Sequence, residues 1–187
     1  MLKETNLRDH FLIAINSDIA STFHQTVIYI GEHSKEGSMG LIINRPSGLH
    51  LIDIFSSMQI KIKKQSDVSA LIFTGGPVKE NTGFVLHHNH GQWESSLKTS
   101  SKLATTSSKD IMHALADNAG PEKSIITLGF SGWGKGQLEN EMANNFWLTC
   151  PASEEILFDV PVTKRWQAAI ESMGFNPNQL ISDIGHA

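Results

Sequence analysis

Cysteine is almost absent from this sequence. Cys150 is the only one among 187 residues, so no disulfide bond can form within the chain. A lone cysteine suits a reducing compartment, and no base stands beside Cys150 in the sequence to activate its thiol. We therefore expect a cytoplasmic protein in which Cys150 is a plain buried thiol.

Long apolar runs are missing as well. The longest early apolar run is residues 11–15, and these five residues fall far short of the roughly 20 that cross a bilayer. Lys3, Glu4 and Asn6 stand where a secretion signal would need an apolar stretch. The sequence predicts neither a membrane protein nor a secreted one.

Positive charge is in short supply. The chain has 15 Lys and Arg against 19 Asp and Glu, which gives a formal net charge of -4. Proteins draw much of their affinity for nucleic acids from cations placed against phosphates. Lys61, Lys63 and Lys64 form one small lysine cluster, and no helix-turn-helix pattern is visible. We expect no specific DNA binding.

The apolar content is ordinary, since 40% of the residues are hydrophobic, and a chain of this length suits one domain over residues 1–187. Strands and helices follow one another with several hairpin signals, which favours the α+β class over a doubly wound parallel sheet. Short β-rich runs predict strands at 11–15, 27–30, 39–43, 71–73, 84–87 and 125–128, and apolar spacing predicts helices near 50–58, 107–118, 137–145 and 163–173.

Residues 129–141 form the densest motif, a predicted glycine-rich loop between a strand and a helix. The first seven positions fit the pattern G-x-x-x-x-G-K of a phosphate-binding loop. However, Gly136 stands where Ser or Thr would bind magnesium, and the bulky Trp133 lies inside the loop. Two interpretations stay open: a structural turn that docks Trp133, and a contact site for a small molecule or a peptide.

Several groups of acids and bases suggest chemistry, but each is incomplete. Glu139 and Glu141 point about 200° apart on a helix, so one metal ion cannot easily take both. His88 and His90 share a strand face without a nearby carboxylate or cysteine to complete a metal site. Residues 32–34 are an acid, a base and a hydroxyl, but neighbours on an extended chain face opposite ways and cannot form a triad. We expect no metal and no cofactor.

Taken together in their order and spacing, the motifs of the chain resemble the AlgH/YqgE family of small bacterial proteins. The resemblance implies a single α+β domain whose split, mostly antiparallel sheet curls into a partial barrel with flanking helices. It also implies a family without an established biochemical activity. The motifs that carry the resemblance are residues 32–34, 37–46, 75–78, 84–87 and 129–141, together with Trp147, Arg165, Trp166 and residues 185–187.

The leading hypothesis is a cytosolic binding or regulatory protein that contacts an unknown small ligand or partner protein through polar loop motifs. The alternative is an enzyme, a hydrolase or phosphate-handling protein, that uses His33, Arg45 and Glu139. Arg45 beside Pro46 suits either an internal ion pair or a bidentate anion contact. The candidate binding residues, taken from matched motif positions, are Glu32, His33, Asn44, Arg45, Gly132, Trp133, Gly136, Gln137 and Glu139.

Overall fold

The structure is a computed structural model that describes residues 6–15, 23–63, 66–89, 91–100 and 102–177. Strands and helices alternate irregularly along these residues, and the last helix is preceded by a π-helical turn, Glu155–Asp159, and a 3-10 turn, Val162–Lys164. The strands are β1 (His10–Ala14), β2 (Val27–Ser34), β3 (Gly37–Ile42), β4 (Pro46–His50), β5 (Leu71–Thr74), β6 (Val78–His88), β7 (Ser96–Lys98), β8 (Leu103–Thr106), β9 (Ser124–Gly134) and β10 (Trp147–Pro151). The helices are α1 (Leu51–Ser57), α2 (Lys109–Ala116), α3 (Gln137–Ala143) and α4 (Arg165–Ser172).

The strands form one curled sheet in the order β10-β1-β2-β3-β9-β6-β8-β7, with β5 and β4 branching from β9. Strand β9 divides its length between two groups of partners. Its residues 131–134 pair with β3, whereas residues 124–130 pair with β6 and, over 126–128, with β5. The β5–β9 pairing is parallel and the other pairings are antiparallel. The predicted α+β class and the split, mostly antiparallel, curled sheet are confirmed.

Strand β1 is buried on both faces of the sheet. Phe11 and Ile13 pack into one apolar cluster, while Leu12 and Ala14 pack into another on the opposite face. Side chains alternate along a strand, so a strand covered on both sides must be apolar throughout. This is why β1 reads as an unbroken apolar run in the sequence.

Each helix covers one of three apolar clusters. Ala169 and Ile170 of α4 pack into the cluster of Phe11, and Leu138 of α3 packs into the cluster of Leu12. Helices α1 and α2 cover a third cluster on β5, β6 and β9. Helices therefore flank the sheet on both faces, and within the described residues no helix is long and apolar enough to cross a membrane.

A close crossing of two chain segments requires glycine where β5 ends and β9 changes partners. A Cβ atom on Gly76 would lie 2.2 Å from the Phe130 carbonyl carbon, and one on Gly75 would lie 2.2 Å from the Gly129 oxygen. The Gly75 amide donates to the Leu128 carbonyl at 2.8 Å, and its carbonyl accepts from the Ile42 amide at 2.9 Å. Glycines 75, 76 and 129 are therefore needed for packing of backbone on backbone.

The structure differs from the predicted glycine-rich loop at residues 129–134, which continue strand β9 up to Gly134. Glycine weakens the sequence signal of a strand because it has no side chain to pack. Of the lysine cluster, Lys61 and Lys63 are exposed after α1, Lys63 Nζ lies 3.4 Å from an Asp117 oxygen, and Lys64 lies outside the described residues.

Candidate functional site

The candidate binding residues divide between the two ends of strand β3. The β2–β3 turn, the end of β9 and helix α3 meet at one end of β3, in a contact region that we call the clasp. Its residues are His33, Ser38, Trp133, Gln137, Glu139, Glu141 and Trp147. At the other end, the residues that follow β3 line a cavity with helix α4, which we call the Arg45 cavity. The six residues of β3 separate the clasp from the Arg45 cavity, so the predicted binding residues do not form one site.

At the exposed edge of the clasp, His33 joins a hydroxyl and a carboxylate. Its Nδ1 shares a hydrogen bond of 2.8 Å with Ser38 Oγ, and its Nε2 lies 3.6 Å from Glu139 Oε1. The exposed fraction is 9% for Ser38, 10% for the His33 side chain and 54% for the Glu139 side chain. The contact ties the β2–β3 hairpin to α3, and the carboxylate is its accessible member.

The inner part of the clasp is a carboxylate that receives two indoles. Trp133 Nε1 and Trp147 Nε1 each donate to Glu141 Oε2 at 2.8 Å. Gln137 donates to Glu141 Oε1 at 2.9 Å and accepts from the Gly134 amide at 3.0 Å. Because both indoles are buried, their N–H groups need an acceptor, and Glu141 supplies it. Trp133 and Gln137 therefore use their polar atoms within the protein.

The remaining candidates at this end differ in exposure and in role. Glu32 and Gly132 are exposed. Gly136 precedes α3 with φ of 70°, a conformation that favours glycine, and a Cβ atom there would meet nothing within 4 Å. Glycine at position 136 is explained by the turn geometry alone.

The Arg45 cavity has a volume of about 500 Å3 between the end of β3 and helix α4. The Arg45 Nη2 atom donates to the His24 carbonyl at 3.1 Å, and both residues line the cavity. Most of the wall is polar. The described residues that line it are His24, Gln25, Thr26, Asn44, Arg45, Val162, Thr163, Trp166, Gln167, Glu171, Asn176 and Pro177.

Hydrogen bonds to the backbone fix the wall of this cavity. Asn44 Oδ1 accepts from the Val27 amide at 2.8 Å, and its Nδ2 donates to the Gln25 carbonyl at 2.9 Å. Trp166 Nε1 donates to the Ala14 carbonyl at 3.1 Å. Asn44 therefore positions the wall from which Arg45 projects.

A buried cation holds helix α4 against this wall. Arg165 donates to the Ile43 and Val160 carbonyls, and its guanidinium lies 5.4 Å from the centre of the Phe73 ring. Within the described residues it has no carboxylate partner, and burial lowers the pKa of Arg165 to about 10. Ile43 stands two residues before Arg45, so Arg165 ties α4 to the segment that leads into Arg45.

Other titratable groups are engaged away from both regions. His87 is buried, shares a hydrogen bond of 2.8 Å with Thr106 Oγ1, and has its pKa lowered by that burial. His88 lies 2.8 Å from Glu154, and His90 lies outside the described residues. Burial raises the pKa of the Cys150 thiol, which makes it a poor nucleophile. The described residues contain no cluster of three or more such side chains that could hold a metal.

Reasoning from the sequence missed several residues of both regions. Ser38 stands in the sequence as a turn residue before the predicted strand 39–43, and only the β2–β3 pairing brings it to His33. His24 and Glu171 reach the Arg45 cavity from distant parts of the chain. The fourth-residue spacing of Gln137 and Glu141 on one helix face was the one signal that could have shown their contact.

Comparisons with known proteins agree with the fold. A family model described as AlgH-like matches residues 11–178. The chain is 41% identical over 186 residues to a UPF0301 protein of Chromobacterium violaceum, and the alignment covers 100% of both chains. It is 43% identical over 185 residues to a UPF0301 protein of Shewanella sp., covering 97% of this chain and 99% of the relative. The resemblance inferred from the motifs is confirmed.

Two solved structures have the same architecture. The solution structure of the AlgH protein from Pseudomonas aeruginosa superposes with a TM-score of 0.80 and is 42% identical, covering 100% of this chain and 99% of that one. A crystal structure of a protein from Corynebacterium diphtheriae gives a TM-score of 0.71 at 18% identity, covering 96% of this chain and 92% of that one. The second likeness shows the fold alone.

Proposed function

The chain belongs to the AlgH-like family, and we propose that it is a cytoplasmic binding protein that takes a small ligand with an anionic group into the Arg45 cavity. The observation that carries this proposal is the Arg45 guanidinium on the wall of a polar cavity of about 500 Å3. Small-molecule sites are concave and have volumes of about 300–1,000 Å3.

Arginine suits an anion because its planar guanidinium presents N–H donors in a fork that matches a carboxylate or phosphate. The bond to the His24 carbonyl anchors one nitrogen of that fork beside the cavity. Asn44 and Trp166 are fixed by bonds to backbone atoms. Groups that are already oriented lose little freedom on binding, which favours affinity.

The test is a thermal-shift screen of the purified protein with carboxylates, sugar phosphates and nucleotides. A ligand at about 100 times its Kd should add about 2.7 kcal/mol to the free energy of unfolding, which raises the Tm by about 5–11 °C for a chain of this size. The Arg45→Gln variant should lose the shift. Lys135→Gln makes the same charge change on an exposed residue near the clasp and should keep it.

A panel that shifts neither the wild type nor Lys135→Gln removes small-anion binding as the function. A shift that persists in Arg45→Gln places the ligand elsewhere, and it contradicts the role given to this cavity.

A second candidate function is acyl-ester hydrolysis, which the contacts of His33 favour. Ser38 Oγ would attack the acyl carbon, His33 Nδ1 would accept its proton, and Glu139 would stabilise the imidazolium from the side of Nε2. The C–O bond to the alcohol would break, the alcohol would leave with the proton from His33, and water would then hydrolyse the acyl-serine. Binding ranks first because Ser38 and His33 are each about nine-tenths buried, which leaves a substrate little access. Turnover of nitrophenyl esters that Ser38→Ala abolishes would reverse this order.

A further inference from the structure

We propose that the ligand of the Arg45 cavity is a zwitterion of the amino-acid class, whose carboxylate meets Arg45 and whose ammonium group meets Glu171. This inference rests on the proposed function, because it uses the same cavity and gives its ligand a second charged group.

The cavity presents charges of both signs. Among its described lining residues, Arg45 is the cationic side chain of fixed charge and Glu171 is the acidic one. Arg45 follows strand β3, whereas Glu171 belongs to the last turn of α4, so the two charges come from separate elements that line the same space. A simple anion is attracted by Arg45 and repelled by Glu171, so it gains less from this cavity than a ligand that carries both charges.

Glu171 is an exposed carboxylate that can accept a hydrogen bond from an ammonium group. Its Oε1 accepts a hydrogen bond of 2.7 Å from Gln167 Nε2, one helical turn earlier, which orients the carboxylate. Within the described residues Glu171 forms no ion pair with a Lys, Arg or His side chain. A primary ammonium group offers three donors and a positive charge, which complement such a carboxylate.

The rest of the lining suits the carbon skeleton of an amino acid. Trp166 and Val162 supply apolar surface, and Gln25 and Thr163 supply polar atoms at the wall. A ligand with both charges is complementary to the charges of Arg45 and Glu171. A ligand that lacks the ammonium group places its carboxylate in the field of Glu171 without compensation, and this mismatch provides specificity.

The experiment compares matched ligands by titration calorimetry and thermal shift. The probes are the free amino acids, their N-acetyl derivatives, which lack the ammonium charge, and their amides, which lack the carboxylate. We expect at least one free amino acid to bind, with its N-acetyl derivative and its amide weaker by about ten- to hundredfold, since each loses one charge-assisted contact.

Variants separate this inference from the proposed function. Glu171→Gln keeps the shape, so it should weaken the free amino acid by about tenfold or more, and it should strengthen the N-acetyl derivative because the repulsion of its carboxylate is removed. Arg45→Gln should weaken both probes. Glu36→Gln removes the same charge from an exposed residue at the other end of β3 and should change neither.

Equal affinities for an amino acid and its N-acetyl derivative overturn the zwitterion and leave anion binding standing. Amino-acid binding that Glu171→Gln does not alter also overturns it. If the whole panel, including the simple anions, fails to bind, the proposed function fails as well.

Discussion

The clasp and the Arg45 cavity lie at opposite ends of strand β3 and use polar side chains in different ways. In the clasp, polar atoms contact one another: Glu141 receives two indole N–H groups, and Gln137 joins it to the backbone of Gly134. In the cavity, polar side chains bond the backbone behind them and line an open space. The clasp, which contains the glycine-rich motif of residues 129–141, is therefore the more structural of the two regions.

The first prediction concerns a substitution that disrupts the clasp. Trp133 is buried between the sheet and α3, so Trp133→Ala should lower the free energy of unfolding by about 3–5 kcal/mol in urea titrations followed by circular dichroism. Trp133→Phe keeps most of the packing and removes the N–H group, and it should cost less. A loss below about 1 kcal/mol for the alanine variant would show that the clasp contributes little to the fold.

The second prediction compares two carboxylates on one helix. Glu141→Gln removes the charge that receives both indoles and should cost about 1.5–3 kcal/mol, as expected for hydrogen bonds to a charged group. Glu139→Gln, on the exposed side of α3, should change stability by no more than about 0.5 kcal/mol. Equal losses in the two variants would contradict the distinction between the inner and exposed parts of the clasp.

The third prediction concerns acid, away from both regions. Burial lowers the pKa of His87, so the unfolded chain binds more protons than the folded one below about pH 6.5. The free energy of unfolding should fall as the pH drops through that window, with this group contributing at most about 1.4 kcal/mol per pH unit. His87→Gln should make the fall shallower in urea titrations between about pH 5 and pH 7. An unchanged slope would show that His87 does not cause it.

The last prediction concerns stability at the cavity. Arg45→Gln removes the hydrogen bond to the His24 carbonyl from a partly exposed residue, and this bond should contribute about 0.5–1.5 kcal/mol to the free energy of unfolding. The measurement is the same urea titration. A loss as large as that of Trp133→Ala would make both ends of β3 structural and would remove the contrast between them.

The sequence was informative where the signal is local. Apolar runs and helical spacing predicted β1, β2 and all four helices, because alternation and the 3.6-residue period are properties of short segments. Strand β9 was predicted only over 125–128, since the glycines that follow give no strand signal. For Gly129 the reason is its contact with Gly75 and Gly76, far away in the sequence.

The site was harder to predict than the fold. His33 and Arg45 stand close together in one motif, yet an extended strand separates them in space. The contacts of His33 with Glu139, and the shared cavity of Arg45 and Glu171, depend on strand pairing and helix docking over about a hundred residues of sequence. Motif residues could be selected from the sequence, but their division into two groups required the structure.

The pairing of β9 with two groups of strands also affects how the protein unfolds. Its last four residues are hydrogen-bonded to β3, and its earlier residues are bonded to β5 and β6. If β9 separated from its partners in one half of the sheet, its pairing in the other half would be disturbed as well. We therefore expect the two halves to unfold as one cooperative unit. A slip of two residues would also move Gly129 away from its crossing with Gly76 and bring a side chain into a space that admits none. The crossing thus fixes the alignment of both halves of the sheet at once.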